Sequence, residues 1–129
     1  MLGQSLILIV DDEANFREIF GAKLSADGYR IETAENGQIG IEKAKALKPD
    51  LILMDVNMPV MDGVSAVLQL RENPETKDVK VAFLTSLGDP QADMQDQNKK
   101  FSQDIGAKGY LKKTDDLNTL SARVKEFLQ

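Results

Sequence analysis

A chain of 129 residues, 42% apolar and 29% charged, has the size and make-up of one folded domain spanning residues 1–129. Its net charge of −5 would be repelled by phosphate backbones, so no direct nucleic-acid binding is expected, and no run of about 18 apolar residues exists to cross a membrane. It holds neither Cys nor His, which excludes disulfides, thiolate and imidazole metal sites and Ser-His-Asp catalysis, leaving carboxylates, hydroxyls, amines and backbone for chemistry.

Leu6-Ile-Leu-Ile-Val10 is a short unbroken apolar run, as in a strand buried on both faces, and it stops at Asp11-Asp12-Glu13. Phe16, Ile19, Phe20 and Leu24 recur at helical spacing, with Gly28 as the stop. Tyr29 to Thr33 predicts a second strand. Asn36-Gly37 opens a second helix, with Gly40, Ile41, Ala44 and Leu47 on one face, and Lys48-Pro49 ends it. Leu51-Ile-Leu-Met54 is another apolar run ending in an acid, Asp55. Met58-Pro-Val-Met-Asp-Gly63 reads as a loop, and Val64, Val67, Leu68 and Arg71 predict a third helix closed by Asn73-Pro74. Val79 to Leu84 predicts a strand leading into Thr85-Ser86. A polar helix is predicted from about Asp89 to Ile105, with Gly106 at its C-cap. Tyr110-Leu111 predicts a short strand before Lys112-Lys113. Leu117, Leu120, Val124 and Phe127 or Leu128 mark a last helix.

Strand and helix thus alternate five times, which predicts a parallel sheet with helices on both faces. In such sheets the ligand crevice lies beyond the carboxyl ends of the strands. That rule gathers Asp11 and Asp12 after the first strand, Asp55 after the third, Thr85 after the fourth and Lys113 after the fifth. Neighbouring carboxylates repel, and a divalent cation relieves them. An all-oxygen ligand set points to Mg²⁺ or Mn²⁺. A carboxylate, a cation, a hydroxyl and an amine together suit phosphoryl transfer, with Asp55 as nucleophile.

Single features have plainer explanations. Asp11-Asp12-Glu13 also suits a helix N-cap, Lys112 competes with Lys113, Glu13, Glu32 and Glu35 read as surface charge, and Phe16, Phe20 and Phe83 read as core.

Val10-Asp11-Asp12-Glu13, Asp50-Leu-Ile-Leu-Met-Asp55, Met58-Pro-x-Met-Asp-Gly63, Leu84-Thr85-Ser86 and Gly106-Ala-x-Gly-Tyr110-x-x-Lys113 occur in order over nearly the whole chain. Together they resemble the receiver domain of two-component response regulators. The resemblance implies a flavodoxin-like, doubly wound α/β fold with five parallel strands in the order 2-1-3-4-5. It implies that Asp55 accepts a phosphoryl group from a phosphohistidine on a sensor histidine kinase or phosphotransfer protein. Asp11, Asp12 and Asp55 would hold Mg²⁺, with the Asn57 backbone carbonyl as a further ligand. Thr85 and Lys113 would bind the phosphoryl group, and Thr85 with Tyr110 would form the switch pair. The product is a cytoplasmic signalling protein, not a turnover enzyme, acting on a downstream protein effector or through an output domain outside the chain. Lacking His, it cannot itself be the phosphohistidine donor.

The sequence departs from the family twice. Thr114 stands where the family has a proline after its lysine, so a trans peptide bond, or a strained cis one, is expected there. The interval from Thr85 to Lys113 is longer than usual, which alters the face that commonly serves dimers and outputs. Three rivals are weaker. A non-phosphorylated interaction module leaves the acidic set unexplained. An aspartate-nucleophile phosphatase needs a second acid where Asn57 stands. A flavodoxin-like cofactor binder would meet repulsion at Asp11-Asp12-Glu13. Leu87 lies two residues beyond Thr85, a position that flanks the path of hydrolytic water in receivers. Its apolar side chain is expected to slow loss of the phosphoryl group. Leu87→Glu should therefore hasten decay of the phosphorylated protein, followed by intact mass; an unchanged or slower decay removes this role.

Overall fold

Among the described residues, five segments pair side by side as parallel strands: β1 (Leu6–Val10), β2 (Arg30–Ala34), β3 (Leu51–Asp55), β4 (Lys80–Thr85) and β5 (Tyr110–Lys112). Their order across the sheet is β2-β1-β3-β4-β5, the doubly wound arrangement expected from the sequence. Among the described residues, four helices connect and cover them: α1 (Ala14–Ala26), α2 (Gly37–Leu47), α3 (Gly63–Glu72) and α4 (Leu117–Leu128). The computed structural model describes residues 4–56, 58, 61–85 and 106–129, so Asn57, Leu87 and the helix expected from Asp89 to Ile105 lie outside it.

Successive side chains of a strand face opposite sides of the sheet, and here they fill two cores. Leu8, Val10, Ile52, Met54, Val81 and Phe83 pack with Ile41 and Ala44 of α2 and Ala66, Val67 and Leu70 of α3. Ile7, Ile9, Leu51, Leu53, Ala82, Leu84 and Leu111 pack with Phe20 and Leu24 of α1 and Leu120, Val124 and Phe127 of α4. Burial on both faces explains why β1 and β3 are continuous apolar runs.

Local signals set the helix ends. Asn36, Asp62 and Asp116 each accept a hydrogen bond from the backbone N–H three residues on, satisfying donors that have no helical partner. Gly28 adopts a φ of +103° just after α1, and Lys48 ends α2 in the left-handed region at 50°. Two strands differ by a residue from their expected bounds, β2 beginning at Arg30 and β4 running through Thr85. Ile19, Leu47 and Leu68, expected on buried faces, are 55%, 39% and 40% exposed. In α3 the buried stripe is Gly63, Ala66, Val67 and Leu70, the i, i+3, i+4, i+7 set, and Leu68 falls outside it. In α1 Gly21, not Ile19, faces the sheet beside Phe20 and Leu24, where a Cβ would lie 3.5 Å from Ile31 Cγ2.

Gly63 is where the helical core presses on the sheet end. Its N–H donates to the Val56 carbonyl at 3.0 Å, and a Cβ there would lie 2.1 Å from the Asp55 carbonyl oxygen. Backbone cannot yield as a flexible side chain does. Gly63→Ala should cost about 1–3 kcal/mol of stability, measured by urea denaturation. A variant as stable as the parent would mean that this approach is not a constraint.

Candidate functional site

The site sits beyond the carboxyl ends of β1, β3, β4 and β5. Asp11 and Asp12 follow β1, Asp55 ends β3, Thr85 ends β4 and Lys113 follows β5. The Asp11 N–H still donates to Ala34 O at 3.1 Å, continuing the β1 ladder one residue past the strand. Its carboxylate is fully buried. Asp11 Oδ1 accepts from the Glu13 N–H at 2.8 Å, and Arg17 Nη1 donates to Asp11 O at 2.7 Å, so the turn into α1 is tied at both ends. Glu13, the N-cap of α1, makes no side-chain cap bond. The acidic run is therefore not serving as a helix cap.

Asp55, the last residue of β3, is also buried, while Asp12 is exposed. Carboxylate oxygens of Asp11, Asp12 and Asp55 all lie within 4.8 Å of one another. The set is oxygen-only and reaches solvent through Asp12. Asp11 Oδ2 is buried without an aligned hydrogen bond. These are the features of a place for a hard cation, and Asp11, Asp12 and Asp55 are the side chains that would hold it. Asn57, expected to add its backbone carbonyl, is outside the described residues.

Lys113 closes the site from β5. Its N–H donates to Thr85 O at 2.8 Å, carrying the β4–β5 ladder to the strand end. The bond to Thr114 is trans. The side chain is 7% exposed and Nζ lies 2.8 Å from Asp11 Oδ2 and 3.6 Å from Asp55 Oδ2. The contact with Asp11 Oδ2 is a close ion pair that departs from ideal hydrogen-bond alignment. Glu13 Oε1 also contacts Nζ directly, and the ammonium stands 4.9 Å above the centre of the Phe16 ring. Lys112, the rival amine, is exposed.

The electrostatics follow. Burial pushes the Asp11 carboxyl above its ordinary 3.8, and the Lys113 ammonium and the Glu13 N–H offset this only in part. Burial alone would lower Lys113. The bonds with Asp11 and Glu13, then the charges of Asp55 and Asp11, outweigh it and lift the ammonium above the ordinary lysine range.

Thr85 Oγ1 donates to Leu111 O at 3.4 Å, a long bond at the β4–β5 edge. Tyr110 opens β5, and its half-buried ring packs on Phe83 with centroids 5.7 Å apart. The structure thus joins Asp11, Asp12, Asp55 and Lys113 in one cluster, with Thr85 beside it and Tyr110 further back in the α2–α3 core. Glu13 and Phe16, read from sequence as surface charge and core, belong to the surroundings of Lys113. Nothing local marks a partner 100 positions away.

A lysine raised in the folded state stabilises below its unfolded value and loses that contribution as pH rises through the folded one. The urea stability of the wild type relative to Lys113→Met should therefore be constant up to the ordinary lysine value of 10.5 and decline above it. A difference independent of pH up to 12 would show the ammonium to be unpaired in solution.

The comparisons agree with this geometry. Residues 7–125 match the family described as Response regulator receiver domain. The DNA-binding dual master transcriptional regulator RpaA of Synechocystis is 36% identical over 123 residues, 95% of this chain and 48% of RpaA. Protein PilH of Pseudomonas aeruginosa is 34% identical over 122 residues, 95% of this chain and 96% of PilH. The chain spans about half the length of several other curated relatives that it matches. Among solved structures, chemotaxis protein CheY4 of Vibrio cholerae superposes with a TM-score of 0.84 at 29% identity, covering 97% of this chain and 99% of that one. With an acidic pocket of Asp11, Asp12 and Asp55 facing Lys113 at the end of a 2-1-3-4-5 sheet, the chain belongs to the response-regulator receiver family.

Proposed function

We propose that the chain is a phosphorylation-controlled signalling switch whose phosphoacceptor is Asp55. The observation that carries this reading is the convergence of a buried strand-end carboxylate, two further carboxylates within 4.8 Å and an ammonium at 3.6 Å. A carboxylate oxygen of Asp55 forms an O–P bond as the P–N bond to the donor imidazole breaks. The imidazole keeps that electron pair and is protonated. The donor is the phosphohistidine of a sensor histidine kinase or phosphotransfer protein.

Asp11, Asp12 and Asp55 would hold Mg²⁺ or Mn²⁺, with the Asn57 carbonyl as the expected fourth donor; the ion supplies charge neutralisation for phosphoryl oxygens. Lys113 stays protonated at neutral pH and offers a second positive charge 3.6 Å from Asp55 Oδ2. The Thr85 hydroxyl gives up only a long bond to Leu111 O if it turns to a phosphoryl oxygen. Tyr110, beside Phe83, is placed to follow a repacking of the β4–β5 edge. Output is a shift between two conformations read by a downstream protein effector or an output domain. The chemistry is limited to the chain's own phosphorylation and dephosphorylation, and the expected setting is the cytoplasm.

Incubation with Mg²⁺ and phosphoramidate should add one phosphoryl mass to the intact protein and none to Asp55→Asn. Chelation of the metal should suppress the adduct. A wild-type protein that stays unmodified, or an adduct that survives in Asp55→Asn, would overturn the assignment.

A further inference from the structure

Lys113 has more claimants than its place opposite Asp55 requires. An ammonium offers three protons. Its closest neighbours are Glu13 Oε1 and Asp11 Oδ2, both from the β1–α1 connection, whereas Asp55 Oδ2 is farther away at 3.6 Å. Beneath it lies Phe16, a ring itself held by Phe20 at a centroid distance of 5.3 Å. Phe20 is fully buried, so this floor is fixed. The ammonium is drawn toward α1 and away from the acceptor.

These contacts differ in how readily they release. Asp11 is buried and tied through its other oxygen to the Glu13 N–H. The Glu13 side chain is 61% exposed and, apart from Nζ, its carboxylate can be satisfied by water. Only the Glu13 end of this pair is open to water, and a carboxylate so exposed exchanges its partner for solvent more easily than a buried one.

Building on the phosphoacceptor reading of Asp55, we infer that Glu13 is a positioning residue that latches the Lys113 ammonium over Phe16 in the unphosphorylated protein. Asp55 gains a phosphoryl group at the cost of this contact. The latch biases the switch toward its resting state. It also holds Lys113 in place without pairing it fully to the acceptor.

The test is the initial rate of adduct formation from phosphoramidate with Mg²⁺, read by intact mass, in the full chain and two variants whose folding is checked by circular dichroism. Glu13→Gln keeps the shape and removes the charge. Glu13→Asp keeps the charge and shortens the reach. A latch predicts that both are labelled faster than wild type, by roughly two- to five-fold for loss of an exposed pair. Acceleration in Glu13→Gln alone would assign the effect to repulsion of the anionic donor and overturn the latch. Unchanged or slower labelling in both overturns it as well. Labelling of the wild type at any of these rates leaves the Asp55 reading standing, so failure of the latch is separable from failure of that reading. Absence of an adduct in every folded form defeats both.

Discussion

The site depends on one buried ammonium. Asp11 and Asp55 are carboxylates closed off from water, and Lys113 is the positive charge that meets both. Removing ions from water costs several kcal/mol each unless a partner compensates. Lys113 alone does not balance the account: Asp11, Asp12, Asp55 and Glu13 surround a single amine. Burial holds the Asp11 carboxyl above its ordinary value although it has a lysine beside it. Such a pocket has a standing demand for further positive charge. A divalent cation would meet that demand. A phosphoryl group alone would worsen it, which would tie the proposed acceptor chemistry to metal.

The sheet makes this concentration of charge possible. Ile7, Ile9, Leu51, Leu53 and Leu111 all face the α1–α4 core. Carrying the same alternation forward from β1, β3 and β5 gives Asp11, Asp55 and Lys113. Three charged side chains therefore emerge on one side where three apolar columns end. Val81 and Phe83 face the α2–α3 core with Tyr110, and Thr85 continues that other parity. The charge cluster and the hydroxyl–aromatic pair thus belong to opposite faces of the sheet. Glu13 and Phe16 reach Lys113 because α1 covers the first of these faces.

This explains what could be read in advance. Asp11 and Asp55 are legible because each ends an unbroken apolar run, and the rule for strand ends in parallel sheets places them together. The strand order follows from the family pattern of motifs. The surroundings of Lys113 are not legible in the same way. Glu13 has the local context of any acid at the start of a helix, and its pairing depends on a contact spanning 100 residues. Gly63 reads as a loop glycine, yet its requirement comes from the Asp55 carbonyl across the turn. The faces of α1 and α3 are misjudged at Ile19 and Leu68 because small residues, Gly21 in one and Ala66 in the other, occupy the buried stripe. Hydrophobicity alone gives such residues little weight.

The same parity bears on how a charge event at Asp55 could reach the rest of the molecule. β5 has three residues, with Tyr110 at one end and Lys113 just beyond the other. At its carboxyl end two bonds of unequal strength add to the β4–β5 ladder, Lys113 N–H to Thr85 O at 2.8 Å and Thr85 Oγ1 to Leu111 O at 3.4 Å. The short bond is between backbones and preserves the ladder. The long one depends on a side-chain rotamer and is the cheaper to lose. Rotation of Thr85 toward the acceptor therefore leaves β5 in register while removing a contact at its middle carbonyl. Among the described residues, Tyr110 packs on Phe83 across the same strand pair. On the proposed phosphoacceptor reading, a signal that begins among charges on the α1–α4 face would therefore be carried through β5 to packing on the α2–α3 face.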